Sequence, residues 1–184
     1  MESSNIMTSH IMSSQVSDLE PTETQHLLSG KWVLWAHLPH DTEWTLKSYI
    51  NIVELTSAEE VIAINNTLPD KLIKNCMLFV MKKGINPTWK DKHNKKGGCF
   101  SFKVSNKYVT NVWKELLKAL TGESISKKKS FVDSVNGITI SPKKTFCILK
   151  IWMNNVSNQN PKDIIQIEGL SYHGCLFKKH KAEY

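Results

Sequence analysis

The chain has no arginine: all 24 of its basic residues are lysine. Any site for phosphate here must therefore use ammonium point charges, because the planar, bidentate guanidinium fork is missing. Cysteine is scarce as well. Cys76, Cys99, Cys147 and Cys175 are far apart, and no CxxC or paired Cys/His spacing occurs. That argues against a disulfide framework or a zinc site and for reduced, mostly buried thiols. Long apolar runs are absent, and no stretch approaches the roughly 18 residues a membrane-crossing helix needs. The N-terminus lacks the basic start and apolar stretch of a signal peptide and is too acidic for a transit peptide. The expected compartment is the cytosol, with nuclear access as an addition. Catalytic signatures are missing too: no HExxH, nucleophile elbow, P-loop or carboxylate cluster is present. The seven histidines are scattered, and His37 and His40 read as loop residues rather than a ligand pair. We expect no enzyme activity, no cofactor and no metal.

What is present is an ordinary globular composition in 184 residues, 40% hydrophobic and 22% charged,. The formal charge of +7 favours polyanionic partners,. The lysine, Asn and Ile bias is that of an AT-rich genome, as in some large DNA viruses and some protists. Residues 1–25 are rich in Ser, Thr, Met and Glu and are expected to form a disordered tail. The ordered domain, expected to be monomeric, should span residues 26–184. Lys31–His37 and Ser48–Leu55 read as strands. Ser57–Asn66 reads as a helix capped by Thr56 or Ser57, with Glu59 and Glu60 in its first turn. Cys76–Met81 reads as a buried strand, and Phe100, Phe102 and Val104 alternate as in a half-buried one. Over Tyr108–Leu120, Val109, Val112, Trp113, Leu116, Leu117 and Leu120 keep the helical spacing, and Gly122 stops the helix. Val135–Ile140 and Phe146–Trp152 form an expected strand pair, followed by polar Asn154–Lys162. Ile164–Ile167 and Cys175–Phe177 read as the last strands. Many strands and few helices predict an α+β fold: one curved antiparallel sheet with helices on one face.

Six tryptophans are many for this length. A lone tryptophan is usually core, but two sit among polar residues. Trp44 follows PHDTE, and Trp89 lies in GINPTWKD, a loop opened by Gly84 and Pro87. Tryptophans so placed are candidates for stacking on a ligand.

The string GINPTWKDKHNKKGG, with HLLSGKWVLW, TEW, VWKELLKALTGES and KIW in order, resembles the eukaryotic translation initiation factor 4E family over about residues 26–153. All six tryptophans fall on family tryptophan positions. The resemblance implies a slot on the sheet's concave side that binds the 7-methylguanosine cap of messenger RNA in translation initiation. Trp44 and Trp89 match the pair that sandwiches the cationic base, each stacked contact being worth roughly 1–3 kcal/mol. Trp152 matches the tryptophan beside the methyl group. Trp32, Trp35 and Trp113 match packing positions.

The resemblance also exposes departures. The family reads the guanine edge with a glutamate directly after the second stacking tryptophan, and that position is Lys90. Asp91 or Glu43 is expected to take over the edge while Lys90 turns toward phosphate. Lys143 aligns with a family basic residue, with Lys144 beside it. A second family lysine is Ile148, which Lys150 can replace from the same strand face. A family arginine falls on Cys99, and Lys178 or Lys179 stands for a C-terminal lysine. The family's convex face binds an amphipathic helical motif of scaffold and repressor proteins. There, His26 is kept, the entry proline is Leu27, a valine is Ser57, a tryptophan is Ile62, and two leucines are Lys114 and Lys118. Burying either lysine unpaired is costly, so weak binding of the ordinary apolar motif is expected. The helix the family places after the Trp152 strand is expected to be missing or reduced. The alternative functions are a cap-binding decoy that does not recruit the scaffold and a general single-stranded RNA binder.

Overall fold

The computed structural model describes residues 25–180. The expected tail, residues 1–25, lies outside them apart from Gln25. Seven strands form one curved antiparallel sheet: β1 (Leu27–His37), β2 (Tyr49–Ser57), β3 (Met77–Lys82), β4 (Gly98–Ser105), β5 (Val135–Pro142), β6 (Phe146–Met153) and β7 (Leu176–Lys179). Their order across the sheet is β2-β1-β3-β5-β6-β4-β7. Four helices, α1 (Ala58–Thr67), α2 (Asp70–Asn75), α3 (Val109–Thr121) and α4 (Lys129–Ser134), accompany it.

Alternation assigns the strand faces. Trp32, Leu34, Leu78, Val80, Phe100, Phe102, Ile138, Ile140, Leu149 and Ile151 point into one large core, shared with the helices. The apolar stripe of α3, from Val109 to Leu120, is buried on that face throughout. Each such Val, Leu or Phe removed from water contributes roughly 1.5–3 kcal/mol, which outweighs the weak propensity terms. Trp113 and Trp32 belong to this core, whereas Trp35 packs on the opposite, open face.

Local chemistry sets the helix ends. Ser57 is the cap of α1: its hydroxyl accepts from the Glu60 N–H, and the Glu60 carboxylate accepts from the Ser57 and Thr56 N–H groups in return,. Gly122 does end α3, but the left-handed residue is the next one, Glu123, at φ 54°.

Two expectations about the elements need correction, and two helices were unforeseen. Ile164–Ile167 is not a strand; it makes a single bridge, Ser126 to Ile164, and drops Ile164 and Ile167 into the core. A short apolar run reads alike in either role. The last strand is shifted to Leu176–Lys179. The two six-residue helices, α2 and α4, are too short for a periodic signal. As expected, only a 3-10 turn, Pro161–Asp163, follows β6 before that bridge. All four cysteines are free thiols, Cys175 alone half-exposed. No helix of the described residues is long and apolar enough to cross a membrane.

Candidate functional site

The open face carries a second, smaller cluster. Phe79, Met81, Ile85 and Trp152 are its buried members, with Trp35, Tyr49, Met77 and Trp89 packed around them. Trp152 donates its indole N–H to the Thr139 hydroxyl at 2.7 Å, which fixes its plane. The His180 ring rests on it, centroids 5.0 Å apart. Burial is the main cause holding the His180 imidazole below its ordinary pKa, and the nearby Lys150 charge adds to it; the Asn94 carbonyl pulls the other way.

Trp44 is 59% exposed, and one face of its indole lies on the imidazole of His37. His37 belongs to the strand read over Lys31–His37 and not to the loop read for it beside His40. It ends β1, is 2% exposed, and donates from Nε2 to the Glu43 carbonyl at 2.7 Å. Its ring also meets Tyr49 edge-on, and Tyr49 meets Phe79. Aromatic contacts therefore run without a break from Trp44 to the cluster that holds Trp89 and Trp152.

The Trp89 loop is built as a rigid arch. It opens at Gly84, φ 85°, a conformation that glycine adopts at no steric cost. It closes at Gly97, where any Cβ would collide with the Met153 carbonyl. Inside, the buried Asn94 side chain donates to the Asn86 and Thr88 carbonyls and accepts from Asn136 of β5. Asp91 does parallel work. One carboxylate oxygen accepts from the Asn86 N–H, and the other from the His93 N–H and its ring. Burial opposes its ionisation, but these hydrogen bonds prevail and hold the carboxyl below its ordinary value.

Asp91 is therefore corrected as an edge reader. Its side chain is 6% exposed and its oxygens are spent inside the loop. Glu43 differs: it is exposed, only its backbone is tied down, and its carboxylate has no partner among the described residues. Lys90 is exposed, with Nζ 5.6 Å from the centroid of the Trp89 ring.

Strand register sorts the lysines. Lys150 pairs with Thr139 on β5 and Ser101 on β4, so it shares the open face with Trp152. Trp152 pairs with Cys99, and Cys99 pairs with Lys178. Lys178 thus comes to the open face beside the missing arginine position, while Lys179 pairs with Gly98 and points the other way,. Lys143 and Lys144 are exposed in the β5–β6 hairpin.

On the helix-covered side the structure joins the start of β1 to α1. His26 Nδ1 lies 2.7 Å from Glu59, a hydrogen bond that lowers the Glu59 carboxyl to about 2. Leu27 is 76% and Ile62 55% exposed. Ser57 is corrected as a surface contact: it is fully buried, with its hydroxyl committed to the cap of α1. On α3, the Lys114 carbonyl accepts from Asn65 of α1, and Lys118 pairs with Glu115 at 2.6 Å.

Sequence reasoning missed His37, Asn94, Asn136, Thr139 and His180. For His37, the alternation with Trp35 along β1 was a usable signal. The others carry none: Asn94 binds carbonyls of its own loop in a way no local motif marks, and the partners of Asn136, Thr139 and His180 lie in other elements.

The open face of the curved sheet thus carries an aromatic floor, with an exposed indole at one side and lysines at the other. The chain belongs to the eukaryotic initiation factor 4E family, whose family model matches residues 27–182. It is 29% identical over 147 residues to the eukaryotic translation initiation factor 4E of Eremothecium gossypii, covering 77% of this chain and 68% of that protein. A stretch of 63 residues is 39% identical to the initiation factor 4E homolog of Acanthamoeba polyphaga mimivirus, 34% of this chain and 23% of that one. Among solved structures, a schistosome initiation factor 4E complexed with m7GpppG and 4E-BP shares the fold, with TM-score 0.66 and 20% identity over 74% of this chain and 76% of that one.

Proposed function

We propose that the chain binds the 7-methylguanosine cap of messenger RNA, in translation initiation in the cytoplasm, without catalysing a reaction. The observation that carries this is the aromatic path from exposed Trp44 through His37, Tyr49 and Phe79 to the cluster of Trp89 and Trp152. Family membership and the solved cap complex of a relative support it. The base enters between Trp44 and Trp89, with its methyl group toward Trp152. Glu43 is the carboxylate left to accept from the guanine edge. Lys150 and Lys178, with Lys143 and Lys144 at the hairpin, meet the phosphates, and Lys90 turns outward to join them.

The test compares a methylated cap analogue, its unmethylated form and an uncapped RNA oligomer. Strong preference for the methylated analogue is expected. Equal binding of all three would replace this reading with general single-stranded RNA binding. Trp44→Ala or Trp89→Ala should cost about five- to 150-fold in affinity, since a stacked base contact is worth roughly 1–3 kcal/mol.

A second reading, a cap-binding regulator that does not recruit a scaffold protein, is favoured by one observation. Lys118 stands exposed on α3, held in an ion pair with Glu115. An apolar helix docking there would have to break or bury that pair, at a desolvation cost. A pull-down with a scaffold motif peptide separates factor from regulator.

A further inference from the structure

We propose that a lysine rim, formed by the outer side of the Trp89 loop and the end of β7, carries the RNA chain that follows the cap. The proposal rests on the cap-binding reading above. Three observations lead to it.

The first is position. Trp152, Cys99 and Lys178 lie side by side on β6, β4 and β7. Neighbouring strands are about 4.8 Å apart, so the Lys178 backbone is about 10 Å from that of Trp152, at the sheet edge. Beyond this edge the chain closes onto the loop: the His180 N–H donates to the Gly97 carbonyl at 3.0 Å, and its ring to the Asn94 carbonyl at 2.9 Å. Lys95 and Lys96, between Asn94 and Gly97, therefore flank the place where His180 docks, next in the chain to Lys179, so the rim adjoins the row of Trp152, Cys99 and Lys178.

The second is unrelieved charge. Lys92, Lys95, Lys96, Lys178 and Lys179 are all exposed, and none has an ion-pair partner among the described residues. The lysines that do form pairs with carboxylates, Lys74, Lys83, Lys118, Lys128 and Lys129, lie elsewhere. Asp91 is the one acid of residues 84–97, and its carboxylate is turned inward and spent. Strands β4, β5, β6 and β7 contain no Asp or Glu at all. A single surface lysine is ordinary solvated charge. A group of one sign without counter-charges sets up a potential that attracts a polyanion.

The third is chemistry. Ammonium groups bind phosphate as point charges and lack the fork that reads a base edge. The rim, residues 90–97 with Lys178 and Lys179, holds no Trp, Tyr or Phe to stack a base. Its ligand class is thus a single-stranded phosphodiester chain, held without regard to sequence and continuous with the capped end.

The full chain is titrated with a methylated cap dinucleotide, with a capped RNA of about ten nucleotides, and with the same RNA uncapped. At about 50 mM salt the capped RNA should bind several-fold tighter than the dinucleotide, and its log-log salt slope should be steeper by about 0.7 for each further phosphate engaged. Lys95→Glu/Lys96→Glu should abolish that gain and leave dinucleotide affinity unchanged. Lys71→Glu/Lys127→Glu, the same charge change elsewhere, should keep the gain. The rim is overturned if wild type shows no gain, if the gain survives Lys95→Glu/Lys96→Glu, or if both variants lose it alike. Failure of the dinucleotide to bind, with uncapped RNA still sensitive to Lys95→Glu/Lys96→Glu, would sink the cap reading and keep the rim.

Discussion

The imidazole of His37 lies flat on the indole of Trp44, with ring centroids 4.2 Å apart and planes 4° from parallel. The histidine is buried and anchored at Nε2 to the Glu43 carbonyl, so both the ring and the turn before Trp44 are held. One indole face is thereby supported and the other left to a ligand. An aromatic pair contributes about 0.5–1.5 kcal/mol beyond burial. We predict that His37→Ala weakens cap-analogue binding by about two- to tenfold, and that His37→Phe restores most of it. Tryptophan-fluorescence titration measures both; an unchanged His37→Ala affinity would show that Trp44 is positioned without the stack.

The two loop carboxylates should separate cleanly. Asp91→Ala leaves the half-buried Asn86 N–H without its acceptor and hands the exposed His93 N–H to water, at about 1 kcal/mol, the low end of the range for an unsatisfied donor. Its expected effect is a lower thermal midpoint. Glu43→Ala should weaken cap binding at an unchanged midpoint, and an unchanged affinity would remove Glu43 from the guanine edge.

Asp91 also predicts a pH dependence. Its folded carboxyl is held below the ordinary value of 3.8, hydrogen bonds outweighing burial. A depressed carboxyl contributes stability above its unfolded pKa, and loses it as pH falls through the folded one. The stability gap between wild type and Asp91→Asn should thus be full at neutral pH and close as the solution is acidified below about 4. Thermal melts across that range test it; a gap that widens in acid would contradict the assignment.

The lysines of the open face predict a graded salt response. Each phosphate contact removed should flatten the log-log salt slope of cap-analogue binding by about 0.7–0.9. Lys150→Ala and Lys178→Ala should each do so. Lys179→Ala, on the opposite side of β7, should leave binding of the cap analogue unchanged. A slope that is flat in wild type would exclude a lysine phosphate site.

On the helix-covered side, Lys114→Leu/Lys118→Leu should raise affinity for an apolar amphipathic scaffold peptide. It removes the cost of desolvating two ammonium groups and adds apolar surface near exposed Ile62. Peptide titration by calorimetry decides it, and tight binding by the wild type would refute the premise.

Much of this architecture was legible before any coordinates. The helical spacing of α3 and the alternation of β4 are local, and burial followed both. The polar surroundings of Trp44 and Trp89 set them apart from Trp113, and the loop string around Trp89 carried the resemblance to the family. Where reading failed, side chains were claimed by nearby backbone groups that no local pattern marks, or by a core built from distant elements. Asp91 looked available to a ligand because nothing nearby in the string shows that Asn86 and His93 would enclose it. Ile164–Ile167 has a strand's composition, yet the core it fills comes from other elements.

The order of residues by itself determined which side chains alternate along β1, β4 and β6, where α1 and α3 begin and end, and that every cation would be a lysine. These follow from backbone period, capping chemistry and composition, which act over a few residues. Only the tertiary structure decided that Lys178 stands one strand from Cys99 and two from Trp152, that His180 closes onto the Trp89 loop, and that Asn136 of β5 reaches into that loop. Such pairings depend on the register between distant strands, which the packing of the whole core sets and no local pattern records.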